Sequence, residues 1–281
     1  MRILVLGGDG MLGHQLLSHL QPRHIVKVTL RQECEAYRQF GLFNRDNSYA
    51  GVDVRSLERL TEVMADFRAD AVVNAVGIVK QRATGMSSVL NLEINALLPH
   101  RLAVLCKGMR ARLVHVSTDC VFSGRKGCYL EDDVSDAEDL YGRTKFLGEL
   151  HDGGCLTLRT SIVGRELARH HGLLEWFLAQ RGTVKGFTRA VFSGLTTQEL
   201  SRVVEHMLTN HPEASGLYHV SSSPITKYEL LRLFSERLGH EIEIVPDDAL
   251  SCDRSLDSTR FRTRFQYSPP PWPAMVEELR R

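Results

Sequence analysis

The chain has 281 residues, of which 43% are hydrophobic and 25% are charged, the usual balance of a soluble globular protein. The 35 basic side chains nearly match the 34 acidic ones, so the formal net charge is only +1. This balance disfavours a broad basic surface for nucleic acid or membranes. Uncharged stretches are far shorter than the ~20 apolar residues that span a bilayer, and no signal-peptide cleavage region follows the apolar N-terminus. We therefore expect a cytoplasmic protein with no nucleic-acid or membrane partner.

The six cysteines are expected to be free thiols. None belongs to a C-x-x-C pair, and none is spaced from histidine as in a zinc site. Disulfides are rare in the reducing cytoplasm. We therefore expect neither a disulfide framework nor a metal site.

The first half of the chain alternates strand-like and helix-like segments. The continuous apolar run at 3–6 predicts a parallel strand buried on both faces, and 71–76 is predicted to be another buried strand. Further strands are predicted at 25–30, 113–117 and 156–159. Helical periodicity covers 11–20, 57–67 after an N-cap at Ser56, 89–106 with a bend near Pro99, and 141–150. Strands and helices joined by short connections imply βαβ units. They predict an α/β fold with a Rossmann-type doubly wound parallel sheet.

A glycine-rich turn directly follows the first predicted strand. Gly7, Gly10 and Gly13 form the pattern G-x-x-G-x-x-G between that strand and the first helix. Glycine at these points permits a tight turn, close approach of a pyrophosphate, and close packing of helix on strand. The helix N-terminus offers N–H groups and a partial positive charge to phosphates. The turn therefore predicts a dinucleotide site.

The residue after the second predicted strand bears on the choice of cofactor. An acidic side chain there would bind the ribose 2′-hydroxyl and indicate NAD. Here Arg31 follows the strand, and no acid precedes Glu33. Because arginine pairs well with a phosphate, the sequence favours NADPH and leaves NADH open.

The regular alternation ends near residue 160. Amphipathic helices are predicted at 198–208 and 227–238, and a short helix follows a proline-rich segment at 268–273. We expect residues 1–160 to form an NADP-binding Rossmann domain, with 196–220 packed back on it. Residues 161–195 and 221–281 are expected to form a smaller α/β substrate lobe.

A threonine, a tyrosine and a lysine form a candidate catalytic group. Tyr141 and Lys145 are four residues apart and share one face of a predicted helix. A nearby ammonium favours the phenolate and lowers the pKa of a tyrosine from its usual value of about 10. Thr118 ends a predicted strand at the carboxyl edge of the sheet, where ligands bind in such folds. Its hydroxyl is suited to hydrogen-bond a substrate carbonyl.

These motifs, in this order, resemble an extended short-chain dehydrogenase/reductase, and most closely the dTDP-4-dehydrorhamnose reductase family. The resemblance covers nearly the whole chain. Beyond the glycine turn and the Tyr141–Lys145 pair, the matching segments are Asp53-Val54, Asn74-Ala75-Val76-Gly77, residues 117–122, residues 216–220 and Ser255-Leu256-Asp257.

The resemblance implies that NADPH reduces the ketone of a nucleotide-linked 4-keto-6-deoxy sugar. Thr118 would hydrogen-bond the ketone oxygen, Tyr141 would supply the proton, and Lys145 would hold the nicotinamide ribose. The implied cofactor-binding residues are Gly7, Gly10, Met11, Leu12, Arg31, Asp53, Val54, Asn74, Ala75, Val76, Tyr141 and Lys145. The candidate substrate residues are Lys80, Val121, Phe122, Arg189 and Arg254.

Two departures from the family pattern lie near the expected sugar site. Cys120 replaces the usual aromatic residue, and Ile162 stands where tryptophan is frequent. A dehydratase would need a further acid–base residue where Cys120 stands. An epimerase remains an alternative, as does a non-catalytic subunit resembling the methionine adenosyltransferase β subunit. The sequence leaves open the nucleotide (UDP or dTDP), the sugar and a homodimeric state.

Overall fold

The structure, a computed structural model, describes residues 1–79, 87–151, 153–168 and 170–280. The chain divides into two compact units. Unit 1 comprises Met1–Ser117, Asp139–Leu158 and Ser201–Leu217, and unit 2 comprises Thr118–Glu138, Arg159–Leu200 and Tyr218–Arg281. The assignment of a cofactor-binding domain and a substrate lobe to particular segments stays a prediction.

The described residues contain strands of very unequal length. The strands are β1 (Arg2–Leu6), β2 (Ile25–Thr29), β3 (Ser48–Tyr49), β4 (Ala71–Asn74), β5 (Arg112–Thr118), β6 (Leu156–Thr160), β7 (Ile162–Val163), β8 (Thr183–Phe192), β9 (Leu195–Thr196), β10 (Gly216–His219), β11 (Ile225–Thr226) and β12 (Glu243–Asp253). The α-helices are α1 (Met11–Leu20), α2 (Leu57–Phe67), α3 (Ser88–Asn91), α4 (Leu98–Met109), α5 (Leu140–Leu147), α6 (Leu173–Ala179), α7 (Thr197–Asn210), α8 (Lys227–Leu238), α9 (Thr259–Phe265) and α10 (Trp272–Glu277).

The main sheet has seven strands in the order β10-β6-β5-β4-β1-β2-β3. Strand β1 pairs in parallel with β2 and with β4, and the parallel pairing continues to β3 on one side and β5 on the other. The strand order therefore reverses direction at β1. This is the doubly wound arrangement, and it places the switch point at the carboxyl end of β1.

The sheet is stable because its central strands are apolar and covered by helices. All residues of β4 are buried, as are four of the five in β1. One core cluster contains Leu4 and Leu6 of β1, Leu60 of α2 and Leu102 of α4. Burial of each such side chain favours folding by about 1.5–3 kcal/mol. The Ser56 hydroxyl accepts a hydrogen bond from a first-turn N–H of α2, which confirms the predicted N-cap.

Residues Ser88–Met109 form one continuous 22-residue helix, whose middle turn Leu92–Leu97 is π-helical. Its length and composition alone would permit a membrane span, as they would for a core helix of a soluble protein. Its buried side chains, including Leu98, Leu102 and Cys106, pack in unit 1. The π-helical turn ends immediately before α4, which contains Pro99 in its first turn. The predicted bend near Pro99 stays a prediction.

Unit 2 contains a three-stranded sheet with the order β11-β8-β12. Strand β8 lies in the middle, antiparallel to β11 and parallel to β12. Strands β7 and β9 form a separate parallel pair. Two long strands, β8 and β12, lie in the part of the chain after residue 160, for which the sequence analysis predicted helices but no strand. The sequence also predicted β4 to reach Val76, but the strand ends at Asn74, whose side chain accepts a hydrogen bond from the Val76 N–H.

Candidate active site

The glycine turn lies at the switch point of the main sheet. It leaves β1 at Leu6 and enters α1 at Met11. Gly7 has a positive φ of 86°, and a Cβ built on it would lie 2.9 Å from a methyl of Val76 after β4. The Gly7 N–H donates to the Thr29 hydroxyl at 3.1 Å. The turn is thus held between the ends of the two strands that flank β1.

Gly13 allows α1 to pack directly on the turn. A Cβ at this position would overlap the Gly7 carbonyl oxygen. Gly10 is the N-cap of α1, and no side chain caps the helix there. The first turn of α1 also contains no acidic residue. A helix N-terminus of this kind favours an anion such as phosphate.

Arg31 and Asp53 lie near each other beyond the ends of β2 and β3. Arg31 is exposed. A hydrogen bond from Arg55 lowers the pKa of the Asp53 carboxyl, and Arg31 contributes electrostatically in the same direction. The Arg55–Asp53 ion pair measures 2.5 Å. The structure therefore brings a basic side chain and an acidic side chain of the predicted cofactor set together in unit 1.

A buried polar pair supports the end of β4. The Asn74 amide lies 3.1 Å from Nδ1 of His115 on β5, and both residues have no exposed surface. Burial holds the pKa of His115 well below its usual value, and Lys145 acts in the same direction. His115 is therefore neutral, and it orients the residue from which the predicted cofactor segment Asn74–Ala75–Val76 begins.

Asn95 also shapes this segment, although the sequence patterns did not single it out. Its side chain accepts from the Ile78 N–H at 2.9 Å and donates to the Ile78 carbonyl at 3.0 Å. It also donates to the Thr144 hydroxyl of α5 at 3.4 Å. Asn95 is almost fully buried in the π-helical turn. It links the chain leaving β4 to the helix that carries the predicted catalytic pair.

Helix α5 carries Tyr141 and Lys145, and a side chain caps its N-terminus. The Asp139 carboxylate accepts from the Gly142 N–H and caps the helix. Lys145 is buried, and its ammonium donates to the Val116 carbonyl of β5 at 2.7 Å. Val116 lies two residues before Thr118 on the same strand. Lys145 is thus anchored to the strand that ends in the predicted catalytic threonine.

Burial lowers the pKa of Lys145 to about 8, and the nearby Glu149 carboxylate opposes this shift. Glu149 is itself buried and accepts a hydrogen bond from the Ser117 hydroxyl at 2.6 Å. A lysine with a pKa near neutrality titrates in the working range of acid–base chemistry. Strongly shifted groups of this kind are concentrated at functional sites.

Thr118 stands at the start of a polar segment of unit 2. Its hydroxyl accepts from the Cys120 N–H at 3.1 Å and lies 3.3 Å from a carboxylate oxygen of Asp119. Burial raises the pKa of the Asp119 carboxyl, against the electrostatic effects of Arg254 and Lys227. Burial likewise raises the pKa of the Cys120 thiol to about 12, so the thiol stays protonated at neutral pH.

The candidate substrate residues differ in what the structure leaves accessible. Val121 and Phe122 are fully buried in one apolar cluster, and the structure leaves no surface of either residue accessible to a ligand. Arg254 donates to the Phe122 carbonyl at 2.8 Å and lies 3.7 Å from the Cys120 sulfur. Arg189 is exposed on β8, opposite Ser251 of β12. Lys80 lies outside the described residues.

The predicted residues are distributed between the units by role. All of the predicted cofactor-binding residues belong to unit 1. Thr118 and the four described substrate candidates belong to unit 2. Within the part of the chain that the structure describes, no group of three or more histidine, cysteine or acidic side chains could hold a metal ion.

A family model described as the RmlD substrate binding domain matches residues 1–280. The chain belongs to this family. Among curated relatives of this RmlD-family chain, the probable low-salt glycan biosynthesis reductase Agl14 of Haloferax volcanii is 25% identical over 277 residues, which cover 94% of the chain and 88% of the relative. The dTDP-4-dehydrorhamnose reductase of Escherichia coli is 25% identical, with 99% and 97% covered. The methionine adenosyltransferase 2 subunit beta of Bos taurus is 25% identical over a shorter stretch, 60% of this chain and 48% of that protein.

Solved structures resemble the RmlD-family chain over nearly its whole length. A hypothetical dTDP-4-dehydrorhamnose reductase from Sulfolobus tokodaii has a TM-score of 0.75 and 26% identity, covering 94% of each chain. A dTDP-4-dehydrorhamnose reductase from Bacillus anthracis, solved in complex with NADP, has a TM-score of 0.80 and 20% identity, covering 99% of this chain and 98% of that one. The likeness to these structures agrees with the doubly wound sheet described above.

Proposed function

We propose that the protein is an NAD(P)H-dependent reductase of a nucleotide-linked 4-keto-6-deoxy sugar, acting in deoxysugar or polysaccharide biosynthesis. The observation that carries the proposal is the buried Lys145 on the helix of Tyr141, bonded to the strand that ends at Thr118. Family membership and the names of full-length relatives as reductases support it. The nucleotide, UDP or dTDP, and the sugar are not assigned.

The proposed cofactor fits the residues at the switch point. The tight Gly7–Gly13 turn and the uncapped start of α1 suit a pyrophosphate. The exposed Arg31, which follows β2, would pair with a 2′-phosphate, and this supports a preference for NADPH. The NADP bound to the related Bacillus anthracis structure is consistent with this preference. When bound, the nicotinamide supplies the hydride.

The proposed chemistry assigns one task to each catalytic side chain. Thr118 hydrogen-bonds the ketone oxygen and orients it. Tyr141 donates its phenolic proton to that oxygen as negative charge develops, so the product is an alcohol. Lys145 lies near Tyr141 on α5 as a positive charge that stabilises the phenolate left behind. The net change is one hydride and one proton added across the carbonyl.

The decisive experiment measures NADPH oxidation against UDP- and dTDP-linked 4-keto-6-deoxy sugars, with identification of the products. We expect Tyr141→Phe to lower kcat by about 10²–10⁴-fold, the usual contribution of general acid catalysis. Tyr228→Phe, on the half-buried start of α8, is the matched control and should keep wild-type turnover. Near-normal turnover by Tyr141→Phe would remove the assignment.

The same experiment separates the alternatives. An epimerase would convert the sugar without stoichiometric loss of NADPH. A regulatory subunit, like the partly matching bovine subunit, would bind the cofactor and oxidise none with any sugar. Parallel assays with NADH measure the cofactor preference, which we expect to favour NADPH.

A further inference from the structure

The buried Glu149 is an acidic residue that the proposed mechanism does not use. It follows Gly148, the C-cap of α5, and it lies four residues after Lys145, as Lys145 lies four residues after Tyr141. The Glu149 N–H donates to the Phe146 carbonyl, so a tight turn closes the helix at this residue. Only 4% of Glu149 is exposed, the same fraction as for Lys145. An acidic and a basic side chain at the end of α5 are thus both removed from water.

Two consecutive residues of β5 hold these two charged groups. The Lys145 ammonium donates to the Val116 carbonyl at 2.7 Å, and the Ser117 hydroxyl donates to the Glu149 carboxylate at 2.6 Å. Ser117 is itself buried. Because Val116 and Ser117 are adjacent in one strand, the two hydrogen bonds place the ammonium and the carboxylate over neighbouring positions of β5. All four residues belong to unit 1.

The negative charge of Glu149 needs a reason beyond its bond to Ser117. Burial of a carboxylate is costly unless other groups compensate for the water that it loses. A neutral amide oxygen would accept the same bond from the Ser117 hydroxyl without that cost. What an amide cannot do is act on a buried ammonium, and the Glu149 carboxylate raises the pKa of Lys145 against the effect of burial.

The other ionisable side chains around Lys145 supply no negative charge. His115, one residue before Val116 on β5, is neutral because burial holds its pKa well below the usual value. His100 lies 2.8 Å from the carbonyl of Leu147, the last residue of α5. Tyr141 is an uncharged phenol before it gives up its proton. Among these groups, Glu149 is the one that favours the charged form of Lys145.

We propose that Glu149 is a positioning residue of the active site, whose carboxylate keeps Lys145 on β5 in its ammonium form. The inference rests on the proposed function, because the charge of Lys145 matters when Tyr141 gives its proton to the sugar oxygen. An ammonium stabilises the phenolate that remains, whereas a neutral amine does not. Glu149 acts through Lys145 and touches neither substrate nor cofactor.

The first test measures the titration of Lys145 in the protein itself. The chain has seven lysines, so carbon-13 labelling of lysine side chains gives few signals, and the signal that Lys145→Met removes is that of Lys145. In the wild type the pKa of Lys145 is about 8. Glu149→Gln keeps an acceptor for the Ser117 hydroxyl and removes the charge, so it should raise the acid dissociation constant of Lys145 about tenfold. Glu149→Asp keeps the charge and should restore most of the wild-type value.

The second test measures NADPH oxidation with the 4-keto sugar as a function of pH. The mechanism needs Lys145 protonated, so wild-type kcat should fall as the pH rises through about 8. In Glu149→Gln the same fall should occur about one pH unit lower. The KM for the sugar should change little, because Glu149 does not contact it. A merely structural role would lower stability without moving this pH profile.

Glu199→Gln is the matched control, because Glu199 is a buried carboxylate of unit 2 that accepts from the Tyr267 hydroxyl at 2.8 Å. It should leave the Lys145 titration and the pH profile unchanged. Glu149→Met, of similar length and without charge, is the second variant if Glu149→Gln does not fold. An unchanged Lys145 titration in the uncharged variant would overturn the inference. A shifted titration in a protein that reduces no sugar would refute the reductase proposal and leave the link between Glu149 and Lys145 in place.

Discussion

The absence of a side chain at Gly13 allows α1 to pack closely on the glycine turn. Helix α1 approaches the Gly7 carbonyl so closely that a single Cβ at position 13 would overlap it. The contact lies in buried backbone, which has no flexible side chain to move aside. The position of the α1 N-terminus relative to β1 therefore depends on this residue.

We expect Gly13→Ala to destabilise the protein by about 1–3 kcal/mol or more, as overpacked cores do, and to weaken cofactor binding. Gly108→Ala provides the control, because Gly108 is exposed on α4 and an added Cβ would meet nothing within 4 Å. That change should stabilise the protein by about 0.5–1 kcal/mol, since alanine is the better helix former. Thermal unfolding and NADPH titration measure both effects. Equal stability of the two variants would contradict the packing argument.

At the scale of single residues, the sequence predicted the candidate residues that are marked by a short, regular spacing along the chain. Glycine spacing predicted the turn, and a four-residue interval predicted the shared helix face of Tyr141 and Lys145. Contacts between residues that are far apart in the chain produce no such spacing pattern in the sequence. Neither the bond from Lys145 to Val116 nor the contact of the Lys227 ammonium with the Phe192 ring follows from any sequence pattern, because both depend on tertiary packing.

At the scale of elements, the π-helical turn Leu92–Leu97 affects how closely α5 packs on the long helix. Proline cannot donate a backbone hydrogen bond, so Pro99 leaves the carbonyl of residue 95, four positions earlier, without its helical partner. Gly148 approaches that same carbonyl, and any side chain at 148 would overlap it. The irregular turn thus lets the end of α5 pack closely on the helix.

Asn95→Ala should lower the free energy of unfolding by about 2–4 kcal/mol, because the buried N–H and carbonyl of Ile78 would lose their partners. We also expect weaker NADPH binding, since the chain leaving β4 would lose its support. Chemical denaturation and cofactor titration test both expectations. Asn210→Ala, which removes an exposed amide at the end of α7, is the control. A loss no larger than that of the control would refute this role.

The central strands of the first half, and helices in both halves of the chain, were predictable where the apolar pattern is strong. Helices α1 and α8 have the predicted bounds, and α2 begins after the predicted cap. The sequence of β12 has no such periodicity. It is mostly exposed and contains Pro246, so neither apolar alternation nor a continuous buried run marks it.

At the scale of the whole molecule, buried neutral histidines make stability depend on pH. Burial lowers the pKa of His219 to about 3, with a further contribution from Arg159, whose guanidinium lies 2.8 Å from the imidazole. In the unfolded chain the imidazole has a pKa near 6.5. Below that pH the unfolded state binds a proton that the folded state does not. Stability is therefore complete above about pH 6.5 and falls as the pH decreases toward 3.

Between about pH 8 and pH 5 this single group should cost about 2 kcal/mol of unfolding free energy. His115 acts in the same direction. In His219→Gln, which keeps an acceptor for Arg159, we expect the pH-dependent loss to shrink by that amount. Substitution of the exposed His151 by Gln should leave it unchanged. Denaturant unfolding at a series of pH values measures the slopes, and identical slopes for wild type and His219→Gln would exclude His219 as a source.

The doubly wound class of the main sheet was predictable from the alternation of strands and helices. Its strand order was not predicted, and the edge strands β3 and β10 had no strand signal in the sequence. The two units were not predictable to the same extent. The chain enters unit 2 directly after Ser117, within β5, where no linker or change of composition marks a boundary. This boundary between the units is defined only by the tertiary contacts of the folded chain.

The interleaving of the units has a consequence for synthesis on the ribosome. The Arg112 guanidinium of β5 donates to the carbonyls of Met207 and Ala214, which follow it by 95 and 102 residues. At about 5–20 residues per second, the nascent β5 waits on the order of 5–20 s for these partners. Unit 1 starts to emerge first, yet it is incomplete until residue 217 has been translated. During synthesis there is therefore a long stage in which β6 is an unpaired, apolar edge of the main sheet, because β10 has not yet been translated.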